Sequence, residues 1–85
     1  MNETLTAAER RALLAVASGK VVRIYRANGN VLRGPKGVGS MALWKLDHRK
    51  FITDGHSVKG VLTLQCRQIV TRAGSAALRK AGAQL

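Results

Sequence analysis

Fifteen lysines and arginines share this 85-residue chain with four carboxylates, Glu3, Glu9, Asp47 and Asp54, for a formal net charge of +11. Mutual repulsion on that scale opposes any compact state, so the chain can fold only if its cations point outward from one apolar core. The core has material, since 46% of the residues are hydrophobic, mostly Ala, Val and Leu, which places the chain among folding sequences. Its length allows one domain. A domain this small removes roughly 60–65% of its unfolded surface from water, so a second copy in a homodimer, or another partner, would add stability. A polyanion is the partner that relieves the repulsion, because it sheds condensed counterions as cations bind. Solubility alone asks for a charge of about 2–8 on a small domain, and for no single sign.

Other features exclude function classes. Tyr25, Trp44 and Phe51 are the aromatic residues, too few to stack a run of unpaired bases, so duplex nucleic acid stands ahead of single strands. Cys66 is the one cysteine, which rules out an intramolecular disulfide and makes the cytoplasm the expected compartment. The first residues carry Glu3, Glu9, Arg10 and Arg11 around a short apolar stripe, unlike a signal peptide or a membrane span. No segment joins a broad bulky apolar face to a basic one, so no membrane attachment is expected.

Catalytic parts are scarce. Asp47 and His48 are adjacent on an expected helix and diverge; Asp54, His56 and Ser57 fall in an expected loop; Cys66 alternates along an apolar strand face as a small core residue. Cys66, His48 and His56 would be three metal ligands from distant pieces without a fourth. The expectation is a binding protein and not an enzyme, without metal or cofactor. Gly34-Pro35-Lys36-Gly37-Val38-Gly39-Ser40 invites two nucleotide-binding comparisons, but it lacks the Lys after the glycine of a phosphate loop. Gly37-x-Gly39-x-x-Ala42 has no strand-helix-strand repeat around it to make a dinucleotide fingerprint.

Thr6-Ala7-Ala8-Glu9 has the form of a capping box and opens a helix over 7–18, with Leu13, Leu14, Val16 and Ala17 inward and Gly19 closing it. Val21 to Arg26 is rich in β-branched residues, and Asn28-Gly29-Asn30 is the expected turn into Val31-Leu32-Arg33, giving a hairpin. After the Gly34–Gly39 breaker, Ser40 caps a helix over 40–49 with Ala42, Leu43 and Leu46 inward. Thr53 to Ser57 reads as a turn. Val58 to Val70 reads as extended, a second hairpin or a long bent strand, with Leu62, Leu64 and Cys66 on one face and Thr63, Gln65 and Arg67 on the other. From Thr71 to Leu85, with Thr71 or Ser75 as cap, Ala77, Leu78 and Ala81 recur at helical spacing and Gly74 permits close packing.

This order, with Ala42-Leu43-Trp44-Lys45-Leu46-Asp47-His48-Arg49-Lys50-Phe51-Ile52 running from helix into strand and Thr71-x-x-Gly74 opening the last helix, resembles the winged-helix branch of helix-turn-helix domains. The resemblance implies an α+β fold of about three helices with a small antiparallel sheet. It places 40–49 as a recognition helix. That family has a helix where residues 20–33 read as strands, so either 36–50 holds two short helices or the hairpin replaces one. Glu9-x3-Leu13, Ala17-x-Gly19, Ile24, Arg26, Gly29 and Val31 are similar to the YjhX toxin-like winged-helix group. That similarity ends at Gly34, so it implies the fold and no activity.

On such a helix Met41, Trp44, Lys45, His48 and Arg49 stand opposite the inward stripe. A helix fits the major groove of B-DNA, where a bidentate Arg or Lys contact to guanine gives about 1–3 kcal/mol of discrimination. Trp44 has a competing, favoured reading as a core anchor. Lys36 and the amides beginning at Ser40 are placed to hold a phosphate, unless the segment is a plain connector. Lys59 at the wing, with Arg67 and Arg72 beyond, would reach the minor groove or flanking backbone, while Arg23, Arg26 and Arg33 extend a basic surface along the first hairpin. The expected function is double-stranded DNA binding by a small transcriptional regulator of a bacterium, phage or mobile element. The alternative keeps the basic face and gives it a host protein or ribonucleoprotein complex, for example as an inhibitor of a nucleic-acid-guided defence system.

Overall fold

A computed structural model describes residues 5–59 and 64–81, and the side chains of all of these except 56–59. Seven elements follow in order: α1 Ala7–Ala17, β1 Val22–Arg26, β2 Gly29–Arg33, α2 Ser40–His48, β3 Ile52–Lys59, β4 Leu64–Val70 and α3 Arg72–Lys80.

The capping box forms, with the Thr6 amide donating to Glu9 Oε1 at 2.9 Å and the Glu9 amide to Thr6 Oγ1 at 3.1 Å. Gly19, at φ +75, lets its own amide and that of Lys20 return to the carbonyls of Val16 and Ala15 at 2.9 and 3.1 Å, which satisfies the helix's last acceptors. The buried stripe of α1 is Glu9, Ala12, Leu13, Ala15 and Val16, whereas Ala17, expected inward, is exposed. The same closure ends α2, where the amides of Lys50 and Phe51 donate to Asp47 and Leu46 at 3.0 Å each. There Lys50 takes φ +62, alone among the described non-glycine residues, at a cost of about 1–2 kcal/mol relative to the right-handed conformation.

Ser40 is not the cap of α2. Gly39 is the N-cap, with no side-chain hydrogen bond, and Ser40 is the first helical residue, a position from which a hydroxyl does not cover the free amides ahead of it. At α3 the cap is Thr71, whose Oγ1 accepts from the Gly74 amide at 3.1 Å and donates to the Lys50 carbonyl at 2.8 Å. Residues 82–85 of the expected tail lie outside the described residues.

The four strands form one antiparallel sheet in the order β2-β1-β4-β3. Arg26 pairs with Gly29, so the first turn is Ala27–Asn28 and Gly29, at φ +137, already belongs to β2. Residues 36–50 hold one helix, so the hairpin stands where a winged helix usually has its second. The turn expected at Thr53–Ser57 is absent, because these residues lie within β3. A register shift between Asp54 and Ser57, opposite Gln68 and Cys66, absorbs them as a bulge. Gly55 is needed there, since a Cβ would lie 2.6 Å from Ile69 Cγ2 and 3.0 Å from the Arg67 carbonyl oxygen. The stretch from 52 to 70 is thus a hairpin, with Leu62 and Thr63 outside the described residues.

The core lies between the helices and one face of the sheet. Leu13, Val16, Val21, Leu32, Leu43, Leu46, Ile52 and Leu78 are at its centre. The result is an α+β domain of winged-helix-like arrangement.

Candidate nucleic-acid interface

Strand register decides which cations reach which side, because residues directly opposite in an antiparallel pair share a face. Arg23 stands opposite Leu32 and Cys66, both buried, so it points toward the helices with Tyr25, Asn30 and Gln68. Arg26, Arg33 and Arg67 lie on the reverse side with Val22, Ile24, Val31, Gln65 and Ile69. Arg23 therefore does not join the basic surface expected along the first hairpin.

Instead it is the hub of a polar network under α2. Its guanidinium binds Asp47 through Nη2 and donates to Asn30 Oδ1 through Nη1 at 3.0 Å; its Nε lies 3.5 Å from Asp54 Oδ1, and it sits 5.6 Å from the Trp44 ring centroid. Asp54 also accepts from the Tyr25 hydroxyl, and from Gln68 Nε2 at 2.7 Å. On the other flank of α2, Arg49 donates to Glu9 Oε2 at 3.2 Å and lies 4.6 Å from the Phe51 ring centroid. The three carboxylates among the described residues are all engaged inside the fold. The ion pairs that hold them use Arg23 and Arg49.

Burial works against the charge of Asp54, but hydrogen bonds from Tyr25 and Gln68 and the charge of Arg23 outweigh it and hold its pKa below the ordinary 3.8. Glu9 is likewise opposed by burial, yet hydrogen bonding to Thr6 and Arg49 brings it below 4.5. A carboxyl depressed in the fold stabilises it fully above its unfolded pKa, and that contribution disappears as pH falls through the lower folded value. The urea midpoint is expected to stay level from about pH 7 to 5 and to fall once the pH drops below the ordinary carboxylate values. A midpoint unchanged down to about pH 3 would show that these contacts contribute nothing. Tyr25 is raised above 10.0, first by its bond to Asp54 and then by burial, so its contribution is lost only at strongly alkaline pH.

Among the expected site residues, Met41, Trp44, Lys45 and His48 come together on the outer side of α2. Met41 is 69% exposed and Trp44 37%, so Trp44 is a surface residue braced by Arg23 and not a core anchor. Trp44, Lys45 and His48 line a shallow groove of about 270 Å³ with Glu9 and Arg49. Arg49 itself is turned to Glu9 and Phe51. Lys36 is exposed in the connector, and Ser40 borders a cleft of about 350 Å³ whose wall includes Arg26, Arg33 and Val38. Arg67 is not brought to this group. It projects from the reverse of the sheet, its Cδ 3.6 Å from where a Cβ on Gly19 would stand. The side chain of Lys59 lies outside the described residues.

The hub role of Arg23 was the signal that sequence reasoning missed. The expected Asn28–Asn30 turn would set Leu32 opposite Arg26; only the observed turn at Ala27–Asn28 brings Leu32 opposite Arg23 and fixes both on one face. Among the described residues, no three metal-ligating side chains converge, and no helix is long and apolar enough to cross a membrane.

Fold and surface together define a winged-helix-like α+β domain with its described carboxylates paired and most of its described cations outward. No family model, no curated protein and no solved structure matches the chain.

Proposed function

We propose that this domain binds double-stranded DNA, with the outer side of α2 at the major groove and Lys36 and neighbouring cations on phosphates. The observation that carries this reading is the fate of the carboxylates. Glu9, Asp47 and Asp54 are each bound within the fold, so no acid among the described residues is left unpaired to compete with phosphate for Lys36 or Lys45. Met41, Lys45 and His48 recur at i, i+4 and i+7 on α2, a single stripe of the width a groove accepts. Regulation of transcription is the use such a domain best fits.

Lys45→Ala tests the reading, because Lys45 is exposed and its loss should leave the fold intact. Fluorescence anisotropy on a labelled duplex is expected to show affinity weakened by about tenfold, within the roughly 1–3 kcal/mol of a groove contact. Affinity equal to that of the wild type would remove α2 from the interface. A second reading, a host protein or ribonucleoprotein partner, is favoured by exposed Met41 and Trp44 beside an open groove. It predicts the reverse pattern, with Trp44→Ala abolishing capture of the partner and DNA affinity weak throughout.

A further inference from the structure

We infer that the first hairpin grips the duplex backbone beside α2, with Arg26 and Arg33 on phosphates at the rim of the groove that α2 occupies. The inference rests on the DNA binding proposed for α2 and adds two contacts to it. Ser40, Leu43 and Asp47 recur at i, i+3 and i+7 and form one flank of α2, and that flank faces the hairpin. Asp47 binds Arg23 of β1, while Ser40 and Leu43 wall the cleft of about 350 Å³ together with Arg26, Val31 and Arg33. At about 100° per residue, this flank lies roughly a third of a turn round the helix from the stripe of Met41, Lys45 and His48.

Both arginines start from the reverse of the sheet and come round its edge to the cleft. Arg33 belongs to β2, the edge strand, and Arg26 stands opposite Gly29, which has no side chain to block the way. Both are exposed, and neither has a partner among the described residues. Arg23 and Arg49, by contrast, are engaged with carboxylates. No described acid lines the cleft.

A helix with its side chains is about 10–12 Å across and the major groove is about 12 Å wide, so a seated helix fills the groove from wall to wall. What stands beside the helix therefore meets the phosphates along the rim. Guanidinium groups suit that place, because each can pair with a phosphate through two parallel hydrogen bonds.

Fluorescence anisotropy on a labelled duplex at several salt concentrations tests this with Arg26→Gln/Arg33→Gln. Arg11→Gln/Arg79→Gln is the control, removing the same charge from exposed positions on α1 and α3. The hairpin variant is expected to bind at least about tenfold more weakly than the wild type at about 100 mM salt, with a salt slope shallower by about 2. The control should stay within about threefold and keep its slope. Arg26→Lys/Arg33→Lys retains the stems and the charges and should regain the wild-type slope; a slope still shallow there would trace the loss to altered packing and overturn the inference. A Gln variant that binds as the wild type does, or a control that loses as much, overturns it too, while weakened binding by Lys45→Ala would keep α2 in the interface. Wild-type protein that binds no duplex removes the proposed function and this inference together.

Discussion

Gly74→Ala is expected to lower stability by roughly 3 kcal/mol, although the same exchange in an open helix stabilises by about 1 kcal/mol. The sign reverses because of what stands beside Gly74. An added Cβ would fall far inside contact distance of the Phe51 carbonyl oxygen, 2.9 Å from Val70 Cγ1 and 3.1 Å from the Phe51 carbonyl carbon. That carbonyl cannot move aside. It accepts from the Thr71 amide at 2.9 Å, while Thr71 Oγ1 holds the adjacent Lys50 carbonyl at 2.8 Å. Two helix ends, the C-terminus of α2 and the N-terminus of α3, are thus tied through one residue and its glycine. In a domain whose total stability is about 4–13 kcal/mol, the thermal midpoint should drop by at least about 12 °C. Thermal unfolding followed by circular dichroism checks this. A variant as stable as the wild type would mean that α3 does not pack on Phe51.

Arg23→Met should cost about 2–3 kcal/mol, less than the 3–5 of a fully buried broken pair, because water partly reaches both acids. The side chains of Asp47 and Asp54 are 29% and 39% exposed against 11% for Arg23. Without the guanidinium the two carboxylates face each other's charge, Asn30 loses its donor and Trp44 loses the cation beneath it. Lys in place of Arg23 keeps the charge but not the planar fork, so it should restore only part of the loss. Chemical denaturation of Arg23→Met, Asp47→Asn and the double variant measures the coupling. Additive single costs would show that the contact between Arg23 and Asp47 carries no energy of its own.

Local chemistry was legible and register was not. The Thr6–Glu9 box, Gly19, and Thr71 with Gly74 could be read because each cap is set within a few neighbouring residues. Thr53–Ser57 could not, since Asp-Gly signals a turn, and only pairing with β4 converts it into a bulge. The facing of β1 was hidden for a related reason. Charge grouped Arg23 with Arg26 and Arg33 on one basic surface, yet the helices pack on the side of Arg23 and Tyr25. That choice comes from long-range pairing of Arg23 with Leu32 and Cys66 and from Asp47 on α2, none of which shows in the local alternation. The same choice separates Arg67 from Lys45, two residues that charge alone had grouped. The outer side of α2 was legible because Ala42, Leu43 and Leu46 define its buried stripe, but the position of Trp44 depended on Arg23 lying beneath it.

The measurement that bears most directly on the whole account is the affinity for duplex DNA as a function of salt. With about six phosphates neutralised, the logarithm of the association constant should fall against the logarithm of salt with a slope near −5, roughly a thousandfold loss between about 50 and 200 mM. A slope near zero, or no binding at about 50 mM, would contradict it.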